Sequence, residues 1–230
     1  MKIFISLVFI SICLISNAQQ IGKTNKYGLV VISSKKSYHE KITRDKDHMM
    51  IELKSVVPSI VYDLRYADTS NFMHRRMYPA PTNKTFLRAL PAKALSIAAE
   101  NLKQKGYGIK VWDAYRPYSV TEDFWELVKD ERYAANPAKG SGHNRGLAID
   151  LTLYDLSDGK ELNMGTGFDD FSEKAHAENK DHSEEVLRNR KILKDAMENA
   201  GFKQLTTEWW HFHWPNDRGY DLLDIQFKKL

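Results

Sequence analysis

Residues 141–150 read S-G-H-N-R-G-L-A-I-D, and residues 208–214 read E-W-W-H-F-H-W. His143 and Asp150 are donor types that bind a divalent metal, and His211 offers a third donor from far along the chain. Three protein ligands with one open position make a catalytic zinc site, whereas a structural site is closed by four. A Cys-rich structural site cannot be built, because the chain has one cysteine. A His and an Asp seven residues apart are common by chance, so the context decides. Gly142 and Gly146 bracket His143 and let the backbone turn sharply or approach a ligand closely. Residues 147–153, L-A-I-D-L-T-L, are then a short apolar run of strand length. Asp150 sits in its middle, where a carboxylate is costly to bury unless paired or metal-bound.

Elements on both sides must bring these groups together. Residues 91–105 carry Leu95, Ala98, Ala99 and Leu102 on one stripe, which predicts a helix with Pro91 in its first turn and Gly106 as its stop. Residues 108–112 read as a strand that runs into Asp113-Ala114-Tyr115-Arg116-Pro117. Ser119 and Glu122 form a capping-box pattern that predicts a helix to about Tyr133. Short strands are expected over 49–53 and 59–64, and a loop over 71–83. A long polar loop over 154–182 is functional or disordered by expectation. Ser183 then caps a helix to Ala200, with Leu193, Ala196 and Met197 on its core side. Residues 202–205 and 209–214 look like a final hairpin. Helices interspersed with short, late-pairing strands predict one α+β domain with a central antiparallel sheet flanked by helices.

The chain has 230 residues and a formal charge of +4 with both signs mixed, which implies no nucleic-acid partner. Residues 1–18 have Lys2, an apolar run and Ser16-Asn17-Ala18, a small-x-small cleavage pattern. This is the pattern of a secretory signal peptide. Its apolar run is short of the roughly 20 residues that span a bilayer, so no membrane span is expected in the mature chain. Cys13 lies inside this leader, after a bulky Ile12 that argues against lipoprotein cleavage. The mature chain is thus expected to be free of disulfides and exported to a periplasm or cell envelope. Residues 19–48 read as a polar, Lys-rich extension with one apolar patch at Leu29-Val30-Val31-Ile32, and residues 49–230 as the functional domain.

Taken together, S-x-H-x-x-G-x-A-x-D at 141–150 and E-x-W-H at 208–211 resemble the zinc D-Ala-D-Ala peptidases. The resemblance is closer to the VanX-type D-alanyl-D-alanine dipeptidases, through residues 112–117, 148–154, 164–169 and 208–211. It spans roughly 56–214. It implies one zinc ion per chain held by His143, Asp150 and His211, with Glu208 as general base and Arg116 as the cation that steadies the oxyanion. Ser141 and Asp169 match positions implied to bind substrate, and Tyr66 is a further candidate. Ser141 also reads as a turn residue and Tyr66 as a core aromatic. Glu208 and His211 stand three apart, and such positions face opposite ways in an ideal strand, so a bulge or strand end near Trp209-Trp210 is required. His213 shares a strand face with His211 but matches no family position, and is expected to be partly exposed. His39, His48, His74, His176 and His182 are expected to be solvated. Trp209, Trp210 and Trp214 are expected in the core and pocket wall.

The function so implied is zinc-dependent hydrolysis of a small D,D-dipeptide in cell-wall turnover. Two rivals stand beside it. One is a D,D- or L,D-carboxypeptidase that trims peptidoglycan stems, and the other is a zinc-containing peptide-binding module without catalysis.

Overall fold

The computed structural model describes residues 21–131 and 134–230. The expected leader, residues 1–18, lies outside the described residues. In chain order the elements are β1 (Lys23–Thr24), β2 (Val30–Ile32), α1 (Lys35–Arg44), β3 (Met50–Glu52), α2 (Leu53–Val56), β4 (Val61–Tyr62) and β5 (Phe86–Arg88). They continue with α3 (Ala89–Lys103), β6 (Tyr107–Asp113), α4 (Tyr118–Val128), α5 (Gly142–Arg145), β7 (Ala148–Asp155), α6 (Glu184–Asn199), β8 (Lys203–Leu205), β9 (Glu208–His213) and β10 (Leu222–Leu223).

The central sheet has the order β4-β6-β7-β9-β8. Strands β6, β7, β9 and β8 pair antiparallel, and β4 joins the edge of β6 in parallel. The fold is α+β, as expected. Side chains alternate along β7. Ile149, Leu151 and Leu153 enter a core with Leu95, Ala98 and Leu102 of α3 and Leu193, Ala196 and Met197 of α6. The alternate residues Ala148, Asp150 and Thr152 are buried as well. A strand covered on both faces reads as an apolar run, which is why the buried carboxylate of Asp150 stands out in it. An aromatic second cluster gathers Tyr66, Tyr78, Tyr115, Phe124 and Phe227.

Local signals set most boundaries. The Ser183 hydroxyl accepts from Val186 N at 3.3 Å and starts α6. The long segment after β7 contains only a 3-10 turn, Glu173–Ala175, before α6. Other expectations need correction. Helix α4 starts after Pro117 without a side-chain cap. Ser119 N and Oγ bind Asp224 instead, at 3.1 and 2.7 Å, and Glu122 pairs with Lys26, so tertiary partners displace the capping box. The helix also stops at Val128, where Lys129 turns left-handed (φ 50°); Tyr133 lies outside the described residues. The strand expected over 59–64 shrinks to β4.

The polar extension packs closely. Its patch forms β2, which pairs antiparallel with β1 and parallel with β10 near the C-terminus. Tyr38 of α1 is buried and its hydroxyl accepts from Met50 N at 2.7 Å. His48, expected to be solvated, is also buried, against the Tyr220 ring and between Asp45 and Asp221.

Candidate functional site

Strand register brings the first two metal-type donors together. Asp150 of β7 and His211 of β9 are directly opposed, so their side chains share one face. Asp150 Oδ1 lies 2.8 Å from His211 Nδ1. His143 arrives from α5, a single helical turn wedged in front of β7. Ser141 caps that turn and Asn144 completes a capping box. Gly146 ends it at φ 68°, a left-handed conformation that favours glycine, and a Cβ there would also push aside the end of the Met50 side chain. His143 Nδ1 lies 2.7 Å from the Ala114 carbonyl. Donating that proton leaves the Nε2 lone pair facing the other two residues. Nε2 is 3.3 Å from His211 Nδ1 and 3.4 Å from Asp150 Oδ2.

These distances suit a shared ion. A tetrahedron with bonds of ~2.0–2.1 Å has edges of roughly 3.3–3.4 Å. The His143–His211 and His143–Asp150 Oδ2 separations have that length, and the contact of His211 to the other Asp150 oxygen is shorter. Among the described residues this is the one group of three such side chains able to hold a metal, with all donor atoms within 4.8 Å. Burial holds the His143 and His211 imidazoles below the ordinary histidine range, and the Arg116 charge adds to it. Neutral imidazole is the form that ligates. Burial pushes Asp150 well above the usual carboxylate range, and Asp113 pushes it further. A divalent cation would reverse that cost.

Glu208 reaches the same face through the required irregularity. Between Gln204 and Leu205 the pairing advances one residue on β8 but four on β9, from Phe212 to Glu208. The bulged residues turn Glu208 back, and its Oε2 stands 3.7 Å from His211 Nδ1. Burial raises the Glu208 carboxyl, with His211 opposing.

Arg116 follows β6 and is buried, stacked over Phe124 and Tyr66. Its Nε and Nη2 bind Asp113 Oδ2 at 3.1 and 2.8 Å. Sequence reading gave Asp113 no role. A bulge in β6 sets Asp113, rather than Trp112, opposite Asp150. Asp113 is wholly buried and also accepts from Tyr78 Oη and Ala114 N. A carboxylate closing a largely apolar strand is the signal that marks it. The two loops are bolted together: Arg116 N donates to His143 O, and Asn144 Nδ2 to Arg116 O and Thr121 Oγ1.

Asp169 stands across the cavity in the long segment after β7, with φ 59°, a backbone region strained for a non-glycine residue. Its oxygens accept from Tyr66 Oη at 3.1 and 3.2 Å. Burial raises its carboxyl well above the usual range, and Asp150 adds to this. Tyr66 is thus both a core aromatic and part of the site wall. The Ser141 hydroxyl accepts from His143 N and lies on the cavity rim.

All eight expected residues line one cavity of about 230 Å³. Phe72, Phe124, Phe171 and Trp210 are its aromatic walls, beside Glu131, Ala134, Ala135 and Leu205. Trp209 and Trp210 are buried. His213 is half-buried and stands outside the donor group, its ring 6.4 Å from that of His211.

A family profile described as D-ala-D-ala dipeptidase, Peptidase M15, matches residues 46–229. The D-alanyl-D-alanine dipeptidase of Escherichia coli K12 is 35% identical over 178 residues, covering 77% of this chain and 91% of that protein. The protein of the same name from Enterococcus faecalis is 32% identical, covering 70% and 88%. The one from Streptomyces coelicolor is 29% identical, covering 68% and 87%. Among solved structures, the LdcB LD-carboxypeptidase is 23% identical with a TM-score of 0.38, over 60% of this chain and 63% of that one. That likeness is too loose to bear on function. The profile takes in every residue of the cavity, and the relative that is 35% identical covers 77% of this chain; on that ground the chain belongs to the M15 family of D-Ala-D-Ala dipeptidases.

Proposed function

We propose that the chain is a zinc metallopeptidase that hydrolyses free D-alanyl-D-alanine or a closely related D,D-dipeptide. One observation carries the reading. Three neutralisable metal donors, a carboxylate, a guanidinium and an opposing aspartate converge on one small cavity. Its volume lies below the ~300–1,000 Å³ of ordinary ligand pockets, which favours a dipeptide over a stem peptide.

His143, Asp150 and His211 would hold the ion. When bound, zinc supplies Lewis-acid polarisation of a carbonyl and acidifies water. Glu208 takes a proton from the attacking water as its oxygen bonds to the scissile carbonyl carbon. The Arg116 guanidinium, held rigid by Asp113, stabilises the charge that develops on the carbonyl oxygen. As the C–N bond breaks, Glu208 returns the proton to the leaving amine, and two amino acids are released. Asp169, opposite the metal donors, accepts the substrate ammonium, with Tyr66 holding its carboxylate in place. Ser141 offers its hydroxyl at the rim.

The test is direct. Purified protein should release free alanine from D-Ala-D-Ala, lose that activity to a chelator and regain it with zinc. Activity on tetra- or pentapeptides but not on the dipeptide would favour a carboxypeptidase instead, and unimpaired binding with no turnover would favour a binding module. We also propose export, from residues 1–18. No described helix is long and apolar enough to cross a membrane. Recovery of the activity in an envelope fraction, lost on deleting residues 2–18, is the expected result.

A further inference from the structure

Asp169 has no strand or helix to place it. It lies in the segment between β7 and α6, at the tip of an arch. The arch is fixed at its feet from below, by α6 and β9. The Arg190 side chain of α6 is buried, with 5% exposure. Its Nε donates to Met164 O at 2.8 Å, Nη1 to His176 O at 3.2 Å and Nη2 to Lys174 O at 3.0 Å. Next to it, Asn189 Nδ2 donates to Asn163 O at 2.9 Å. The guanidinium also stacks on Trp209, whose Nε1 donates to Thr166 Oγ1 at 2.8 Å.

A buried guanidinium is costly, and an acidic side chain is its usual partner. Here its hydrogen bonds all go to backbone carbonyls from both feet of the arch. Three donors in a rigid plane fix where three carbonyls lie, and so fix the path of the chain between them. That path carries the site's loop residues: Phe168 against Trp112 and Trp210, Asp169 against Tyr66, and Phe171 against Phe72. Arg190 itself does not line the cavity.

We propose that Arg190 is a positioning residue for substrate recognition, its guanidinium holding both feet of the 164–176 arch so that Asp169 stands opposite the metal donors. The inference rests on the reading of Asp169 as the acceptor of the substrate ammonium. It places the control of affinity for the free amine on a helix outside the cavity, with Trp209 of β9 the one point where the brace also touches the strand of Glu208 and His211.

The experiment compares R190K, R190M, D169N and the double variant R190M/D169N in zinc-loaded protein, with D-Ala-D-Ala as substrate and zinc content measured on each. R190M should raise KM about tenfold with kcat within about twofold of the parent, the pattern of lost binding rather than lost chemistry. R190K, which keeps the charge but not the three-way fork, should raise KM by less. The double variant should be no worse in KM than D169N alone, because both changes remove one interaction. A merely structural role would instead lower kcat and zinc content together, and that result overturns the inference. So does an unchanged KM in R190K and R190M while D169N raises it, and in that case the reading of Asp169 survives. An unchanged KM in D169N overturns the reading of Asp169 itself and the inference with it. If R190M does not fold, the same split in R190K decides.

Discussion

The two sides of the cavity are built by different means. On one side, Asp150 and His211 are neighbours in a backbone ladder, and His143 sits on a turn tied to that ladder. Leu147 N bonds Gly142 O at 2.9 Å, and Trp214 N bonds Leu147 O at 2.7 Å. On the other side, Asp169 lies in irregular chain held by side chains. Each side nevertheless has a buried arginine behind it. Arg88 is fully buried, and it donates Nε to Arg145 O at 2.7 Å, Nη2 to Asp221 O at 3.0 Å and Nη1 to His48 O. Burial lowers Arg88 and Arg190 alike to about 10, so both stay charged at neutral pH. The lesson concerns tolerance. Asp150 and His211, proposed to share one ion, are set by register, where a slip of one residue reverses every side chain. Asp169, proposed to recognise a charge, is set by a loop, where small shifts weaken binding without abolishing it.

Four substitutions can break or sharpen this contrast. E208Q, on the ladder side, should lower kcat by about 10²–10⁴ with zinc still bound, checked by steady-state kinetics and metal analysis. Retained activity would remove Glu208 from the chemistry. R88M should lower stability by about 2–4 kcal/mol in chemical denaturation, because three carbonyls, one of them fully buried, lose their donor. D169N should raise KM for the dipeptide about tenfold at nearly constant kcat; a fall in kcat as deep as that of E208Q would erase the division between the two sides.

The smallest effect concerns pH. Burial lowers the His48 imidazole, and Arg88 and Lys41 lower it further against Asp221 and Asp45. The folded protein therefore takes up this proton at lower pH than the unfolded chain does. Stability from this group is complete above roughly pH 6.5 and falls as the pH drops toward the folded value. H48N should show a shallower loss of melting temperature below pH 6.5 than the parent, and parallel curves would refute the account.

Much of the ladder side was legible in the sequence. Asp150 announced itself as a carboxylate in an apolar run, and the three-residue spacing of Glu208 and His211 demanded the bulge that β9 contains. Asp113 carried the same signal and was passed over, because its partner Tyr78 lies 35 residues away. The arginine braces were not legible. Their partners are backbone carbonyls, which every residue has, so no pattern marks them. His48 departs from its expected exposure for a related reason: the residues that bury it, Tyr220 and Asp221, come from a distant part of the chain. Ser119 and Glu122 had the correct local pattern, but Asp224 and Lys26 claimed both side chains.

The pairing of β2 with β10 has a consequence for biogenesis. One of the first strands to be made waits for a partner almost two hundred residues downstream. Every strand of the central sheet is synthesised between these two, so that seam closes only after the strands that carry the site have been made.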